Sequence, residues 1–284
     1  MRLHIKKEIG HLKLTRLSPA QVQSLLNRKQ ATGLSARTVQ YIHAVLRRAL
    51  NVALRWGLVS RNAAALVDAP PLPFREQQAF SAENAKDFLV AVKGKRLESL
   101  YVTTLALGLR IGEALALQWS DVDLDAATLS VRHNLQRIKG EGLVLAEPKS
   151  ARSRRRVALP PFVVESLQEH HRRQAAERLK AGAEWQGGDF VFATVYGGPI
   201  DRGRVYRQLK VILEKAKLPD INLHELRHSC VSLLLAQKVP MRIIMETVGH
   251  SQIGVTMNLY AHVLPEVQAE AADAMENALG GGSK

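Results

Sequence analysis

In 284 residues the chain carries 40 Lys and Arg against 26 Asp and Glu, a formal net charge of +14, with 46% hydrophobic side chains. That balance describes a folded protein and excludes a disordered one, while the single cysteine, Cys230, excludes an intramolecular disulfide framework and a cysteine-rich zinc module. No apolar run reaches the roughly 20 residues that a membrane span needs, and the basic start lacks a signal-peptide apolar stretch, so a cytosolic setting without membrane contact is expected.

The opening residues, Met1-Arg-Leu-His-Ile-Lys-Lys, read as the middle of a helix with no cap before it, so the first domain is expected to be truncated at its start. Ser18-Pro19-Ala20-Gln21 combines a serine cap, a proline in the first turn and a capping-box glutamine, which starts a helix running to about Gln30. Gly33 occupies the turn after it. Ser35 caps a longer helix in which Val39, Ile42, Leu46, Leu50 and Leu54 recur at helical spacing, and Gly57 is placed to end it. From Met1 to Phe74 twelve Lys and Arg face only Glu8 and Asp68, a surplus of +10 that leaves +4 for the other 210 residues. A small helical bundle so lopsided is suited to a polyanion, because each phosphate it neutralises releases a condensed counterion.

Asp68-Ala-Pro-Pro-Leu-Pro-Phe, with three prolines, reads as an extended linker. The expected division is a helical domain over 1–67, a linker over 68–80 and a second domain over 81–284. Ser81 caps the first helix of that domain, and helices are expected over 82–93, 97–107, Pro161 to Lys180, Asp201 to Lys217, around His224, and Glu266 to Leu279. A short helix follows Leu109-Arg110. Thr128-Leu-Ser-Val-Arg, Leu143-Val-Leu and Arg156-Val-Ala-Leu read as strands, the last two flanking a very basic connection that holds Lys149. The fold class is therefore mainly α, with an α+β second domain carrying a small antiparallel sheet or hairpin.

His224-Glu225-Leu-Arg227-His228 admits two chemistries. As His-Glu-x-x-His it matches a zinc-peptidase helix, with two imidazoles one turn apart and a glutamate base. That reading needs a third ligand, for which His250 and His262 are candidates, and it puts the cation of Arg227 between its ligands. As His224-x-x-Arg227 it supplies a pair on one helical face able to grip a phosphate. Attack of a tyrosine on a DNA phosphodiester needs a phenol with a reference pKa of about 10 to lose its proton. It also needs fixed cations for the charge on the non-bridging oxygens, and a general acid for the departing oxygen. Arginine suits the second task because its planar fork binds phosphate bidentately and stays charged. Arg110 with Glu113 one turn later, Lys149, His224, Arg227, His250 in Gly249-His250-Ser251, and Tyr260 supply these parts in order.

These motifs resemble the tyrosine recombinases, phage-type integrases in particular. Gly108-Leu-Arg-Ile-Gly-Glu113 resembles the family's first arginine box and Pro148-Lys-Ser-Ala-Arg-Ser-Arg-Arg its hairpin lysine. His224-Glu-Leu-Arg-His-Ser resembles the His-x-x-Arg box, Val248-Gly-His-Ser the histidine that follows, and Met257-Asn-Leu-Tyr-Ala-His the nucleophile box. Residues 1 to 67 resemble the family's core-binding domain, a SAM-like helical bundle; the additional arm-binding domain of the larger integrases is not visible.

The resemblance implies that Tyr260 is the nucleophile, forming a 3′-phosphotyrosyl link. Arg110, Arg227 and His250 would stabilise the transition state, Lys149 would protonate the leaving oxygen, His224 would assist proton transfer, and Glu113 would support the arginine. It implies no metal, cofactor or ATP, double-stranded DNA core sites as partner, a homo-tetramer on paired sites exchanging strands through a Holliday junction, and a directionality factor or DNA-bending protein as a further partner. A bacterial or phage-encoded, nucleoid-associated protein is expected. DNA contacts are expected from Ser35, Arg37, Thr38 and Arg47, at the start and along a basic helix suited to a major groove, and from Arg152 and Arg154 beside the lysine. The helix from Glu266 to Leu279, with Val267, Ala271, Ala274, Met275 and Ala278 on one side, is expected to dock on a neighbouring subunit. Three other readings stay open: a non-catalytic DNA-binding protein, the zinc peptidase, and a type IB topoisomerase with the same chemistry.

Overall fold

The computed structural model describes residues 2–72, 78–147, 154–249 and 275–276. The chain divides into two compact units, Met1–Glu76 and Gln77–Lys284.

The first unit is helical. After a helical stretch Arg2–Lys6 continued by α1 (Lys7–Ile9), α2 (Pro19–Ala31) begins at Ser18, whose hydroxyl accepts the Gln21 amide while the Gln21 side chain takes the Ser18 amide. In α3 (Ala36–Arg55) the Ser35 hydroxyl likewise accepts the Thr38 amide. Val39, Ile42, Leu46 and Leu50 pack on Val22, Leu25 and Leu26 of α2 and on Ile5 and Ile9. The apolar stripe ends one position earlier than its spacing predicts. Leu54 is 40% exposed and Ala53 is buried instead, since three successive i+4 steps from Ile42 overshoot the 3.6-residue turn and carry Leu54 off the core face. His43 completes the inner face by hydrogen bonding the Ala64 carbonyl at 2.7 Å.

In the second unit, α4 (Ala82–Val92) starts at Ser81, whose hydroxyl accepts the Asn84 amide. α5 (Glu98–Leu107) is buried on nearly every side and packs on α7 (Pro161–Ala181) and α9 (Leu223–Ala236), as befits a helix that is apolar all round. Phe80, Phe88 and Tyr101 pack through this core in tilted and edge-on contacts at ring separations of 5.4 and 5.9 Å. α6 (Ile111–Leu115), α8 (Arg202–Lys215) and α10 (Met241–Val248) are three further α-helices of this unit. Asp201, expected inside α8, is its cap, with the carboxylate accepting the Gly203 amide. No helix among the described residues is long and apolar enough to cross a membrane.

The strands form two small antiparallel sheets. β1 (Val122–Asp123), β2 (Thr128–Val131) and β5 (Arg155–Ala158) lie in that order, with Leu129 opposite Val157 and Val131 opposite Arg155. β3 (Asn134–Ile138) pairs with β4 (Gly142–Ala146) as a separate ribbon. This corrects the hairpin expected around Lys149. The strands flanking it in sequence, β4 and β5, pair with β3 and β2 and not with each other, and the tight turn is at Lys139-Gly140-Glu141, where Gly140 has φ +95°.

Candidate active site

Leu107 ends α5, and Gly108 turns the chain in the left-handed region at φ +59°. A β-carbon there would stand 2.7 Å from Val248 Cγ1, so both conformation and space demand glycine. Arg110 is then the N-cap residue of α6. Its backbone N–H donates to Glu113 Oε2 at 3.1 Å and its Nη1 to Glu113 Oε1 at 2.7 Å, while Nη2 reaches the Gly249 carbonyl at 3.2 Å. The guanidinium stays 40% exposed. One carboxylate thus starts the helix and aims the arginine.

Glu113 is buried and has a second cation. Arg155 Nη2, from β5, donates to Glu113 Oε2 at 2.9 Å, and Arg155 Nε donates to the Thr247 carbonyl at 2.8 Å. Burial alone would raise the Glu113 carboxyl. The hydrogen bonds and charges of Arg155 and then Arg110 outweigh it and hold the group below its ordinary value.

α9 begins at Asn222, whose side chain accepts the amides of His224 and Glu225, while the Glu225 carboxylate accepts the Asn222 N–H. Leu223, Leu226, Cys230 and Val231 anchor this helix in the interior. His224 is exposed. Arg227 is fully buried; its Nη1 donates to the Gly108 carbonyl at 2.6 Å, and its Nε and Nη2 have no partner among the described residues. Burial, and next the charge of Arg110, push the Arg227 pKa down to about 9, so this cation is held at a cost that an anion nearby would relieve. His228 stands edge-on to His224 with ring centres 4.7 Å apart. Burial, then His224 and Arg227, push it down to about 4. Desolvation, then the charges of Arg227, Arg110 and Arg202, also lower His224, which is therefore neutral at pH 7.

A cleft of about 790 Å3 opens beside these groups. Arg110 and His224 line it, together with Asn134 and Gln136 of β3 and Arg202 and Tyr206 of α8. Sequence reasoning expected Arg110, Glu113, His224 and Arg227, and the structure brings these four together; it missed Arg202, Tyr206 and Arg155. Arg155 closes the motif that follows Lys149, but in the Arg154-Arg155-Arg156 run nothing local singles it out, and only the pairing of β5 with β2 turns it inward. Lys149, Arg152, His250 and Tyr260 lie outside the described residues, as does the helix expected from Glu266 to Leu279 except Met275 and Glu276.

The other expected contacts are placed as follows. Ser35 and Thr38 hydroxyls bond each other at 2.9 Å in the helix cap, Arg37 lies over the Tyr41 ring at 5.1 Å, and Arg47 is exposed. Arg154 is exposed and pairs with Glu147 at 2.9 Å. The zinc reading loses its base, since Glu225 is occupied in the α9 cap. Among the described residues no three His, Cys, Asp or Glu side chains are grouped to hold a metal ion.

Comparison with known proteins identifies the family. A sequence model described as the phage integrase family matches residues 78–266. A tyrosine recombinase XerC-like protein of Caldanaerobacter subterraneus subsp. tengcongensis is 30% identical, the match covering 97% of this chain and 75% of the relative. An integrase of Streptomyces ambofaciens is 33% identical over 94% and 71% of the two chains. Among solved structures, the Tn1549 transposon integrase in complex with transposon right end DNA has the same fold, with a TM-score of 0.80 and 21% identity over 94% of this chain and 87% of that one. The chain belongs to the phage integrase family and is a tyrosine-type site-specific recombinase.

Proposed function

We propose that this recombinase binds double-stranded DNA at core recombination sites and cleaves it by attack of the Tyr260 phenol on the scissile phosphorus. The new bond is a 3′-phosphotyrosine, the P–O5′ bond breaks, and the departing oxygen leaves as a 5′ hydroxyl with a proton from Lys149. Because the covalent link retains the phosphodiester energy, a 5′ hydroxyl from another strand reverses the step without ATP. Arg110, Arg227 and His250 bear the charge on the non-bridging oxygens, and neutral His224 takes the phenolic proton. Performed on two duplexes by a tetramer, the reaction exchanges strands through a Holliday junction. A directionality factor or DNA-bending protein would act on that assembly.

The observation that carries this reading is Arg227, a fully buried guanidinium with two donors unpartnered among the described residues, one helical turn from His224 and beside Arg110. A buried cation in that condition is costly unless an anion completes it, and fixed donors at a developing phosphorane charge are the largest single contribution such a site can make. The test is covalent capture. Nicked duplexes with random-sequence cores are incubated with the chain in EDTA and resolved on a denaturing gel. A protein–DNA adduct that vanishes in Tyr260→Phe, with binding retained, supports the reading. Binding without adduct from any member of the pool overturns it in favour of a DNA-binding protein.

A further inference from the structure

Between the two arginine boxes lies a cation that neither contains. Arg155 enters from the first residue of β5, and its side chain is 7% exposed. It donates to Glu113 on one side and to the Thr247 carbonyl, in the last turn of α10, on the other. Gly249, two residues on, is left-handed at φ +71°, and a β-carbon there would stand 2.8 Å from Arg155 Nη1. The Gly249 carbonyl in turn accepts from Arg110. The result is a closed circuit: Arg110 to Glu113, Glu113 to Arg155, Arg155 to Thr247, and Gly249 back to Arg110. Three elements distant in sequence are locked together by it, and His250 is the next residue in the chain.

We propose that Arg155 is a positioning residue for strand cleavage: it fixes the Thr247–Gly249 turn against the Arg110–Glu113 pair, and so holds the Arg110 guanidinium in the orientation that meets the phosphate. The inference rests on the reading of the site given above. A planar guanidinium can serve the Glu113 carboxylate and the Thr247 carbonyl at once, because its Nε and Nη2 donors are held about 2.3 Å apart in one rigid plane. A lysine ammonium at the same position keeps the charge beside Glu113 but lacks the rigid pair of donors that holds the Thr247 carbonyl at the same time. The turn then loses its tether while the buried carboxylate keeps a partner.

The experiment is Arg155→Lys in the full chain, with a nicked duplex recovered by covalent capture with the unaltered protein. Failure of the unaltered chain to capture any duplex counts against the functional reading and not against this inference. With a captured duplex in hand, the expected result is a single-turnover cleavage constant lower by roughly tenfold to a hundredfold at saturating protein, with the Kd for the duplex within twofold. Amide hydrogen exchange should rise in peptides covering 244–249 and stay unchanged in those covering α5 and α9. A substrate with sulfur at the bridging 5′ position, whose thiolate needs no proton to leave, should not restore the variant. Cleavage within twofold of the unaltered chain overturns the proposal, and so does a parallel loss of binding and cleavage. Exchange rising throughout α5 and α9 marks a merely structural role and also overturns it. Rescue by the sulfur substrate assigns Arg155 to leaving-group protonation instead, with the same consequence.

Discussion

Arg227 donates a 2.6 Å hydrogen bond to the carbonyl of Gly108, 119 residues earlier in the chain. That bond joins the two arginine boxes, since Gly108 is the left-handed residue from which the chain turns into Arg110. It satisfies one guanidinium nitrogen, while Nε and Nη2 have no partner among the described residues. A site of this kind sets stability against function, and its substitutions should separate the two.

Arg227→Met removes a buried cation and fills its volume with an apolar chain. Cleavage should fall by roughly 10² or more, as expected for loss of a preorganised donor to the transition-state charge. Stability should stay level or rise by about 1 kcal/mol, because an incompletely paired buried charge is replaced by packing. Urea denaturation read beside the covalent-adduct assay checks both. A large loss of stability would show that Arg227 holds the fold together.

Gly108→Ala should destabilise by about 1–3 kcal/mol. The substitution combines a φ of +59° with a β-carbon 2.7 Å from Val248 Cγ1 and 3.2 Å from Cys230 Sγ. It also moves the carbonyl that holds Arg227, so cleavage should fall further than the stability loss accounts for. The comparison is made at a temperature where both proteins are folded by circular dichroism.

Glu113→Gln should cost about 3 kcal/mol, because Arg155 is left buried with its carboxylate partner gone. The pH dependence follows from the same pair. Glu113 has a folded pKa below its reference value of 4.5, so its contribution is fully present above about pH 4.5 and is lost as pH falls toward the lower folded value. Stability measured between pH 6 and pH 3 should therefore drop less steeply in Glu113→Gln than in the unaltered chain. Equal slopes would show that the pair contributes nothing to acid sensitivity.

His224 is held below its reference value of 6.5 by desolvation and by three arginine charges, so it is neutral at pH 7 and able to accept a proton. The single-turnover cleavage rate should fall on the acid side of neutrality as the imidazole protonates, at a lower pH than an ordinary imidazole would give. In His224→Gln the rate should be lower and this acid limb absent. Persistence of the limb would assign it to another group.

Much of this protein was legible locally. Ser18, Ser35 and Ser81 were recognisable as caps because each accepts an amide only three residues ahead. The helices of both units follow from apolar spacing for the same reason of proximity. His224 and Arg227 were placed on one face by helical geometry alone, and Glu113 was matched to Arg110 across a single turn. Where spacing was extended too far, as at Leu54, the accumulated drift of the helix moved the residue out of the core.

What the sequence by itself determined, then, is most of the described helices, the starts marked by Ser18, Ser35 and Ser81, and the residue types of each box, because these depend on contacts within about one turn; it did not mark α10 (Met241–Val248). Tertiary structure alone decided that β5 crosses to β2, since those partners lie far apart in the chain and their register leaves no local mark, whereas β3 and β4 meet through the short turn at Gly140. The same register turns Arg155, and not Arg154 or Arg156, inward to Glu113. Alternation along a strand carries neighbouring, chemically identical side chains to opposite faces, and which of them reaches the interior depends on the partner strand.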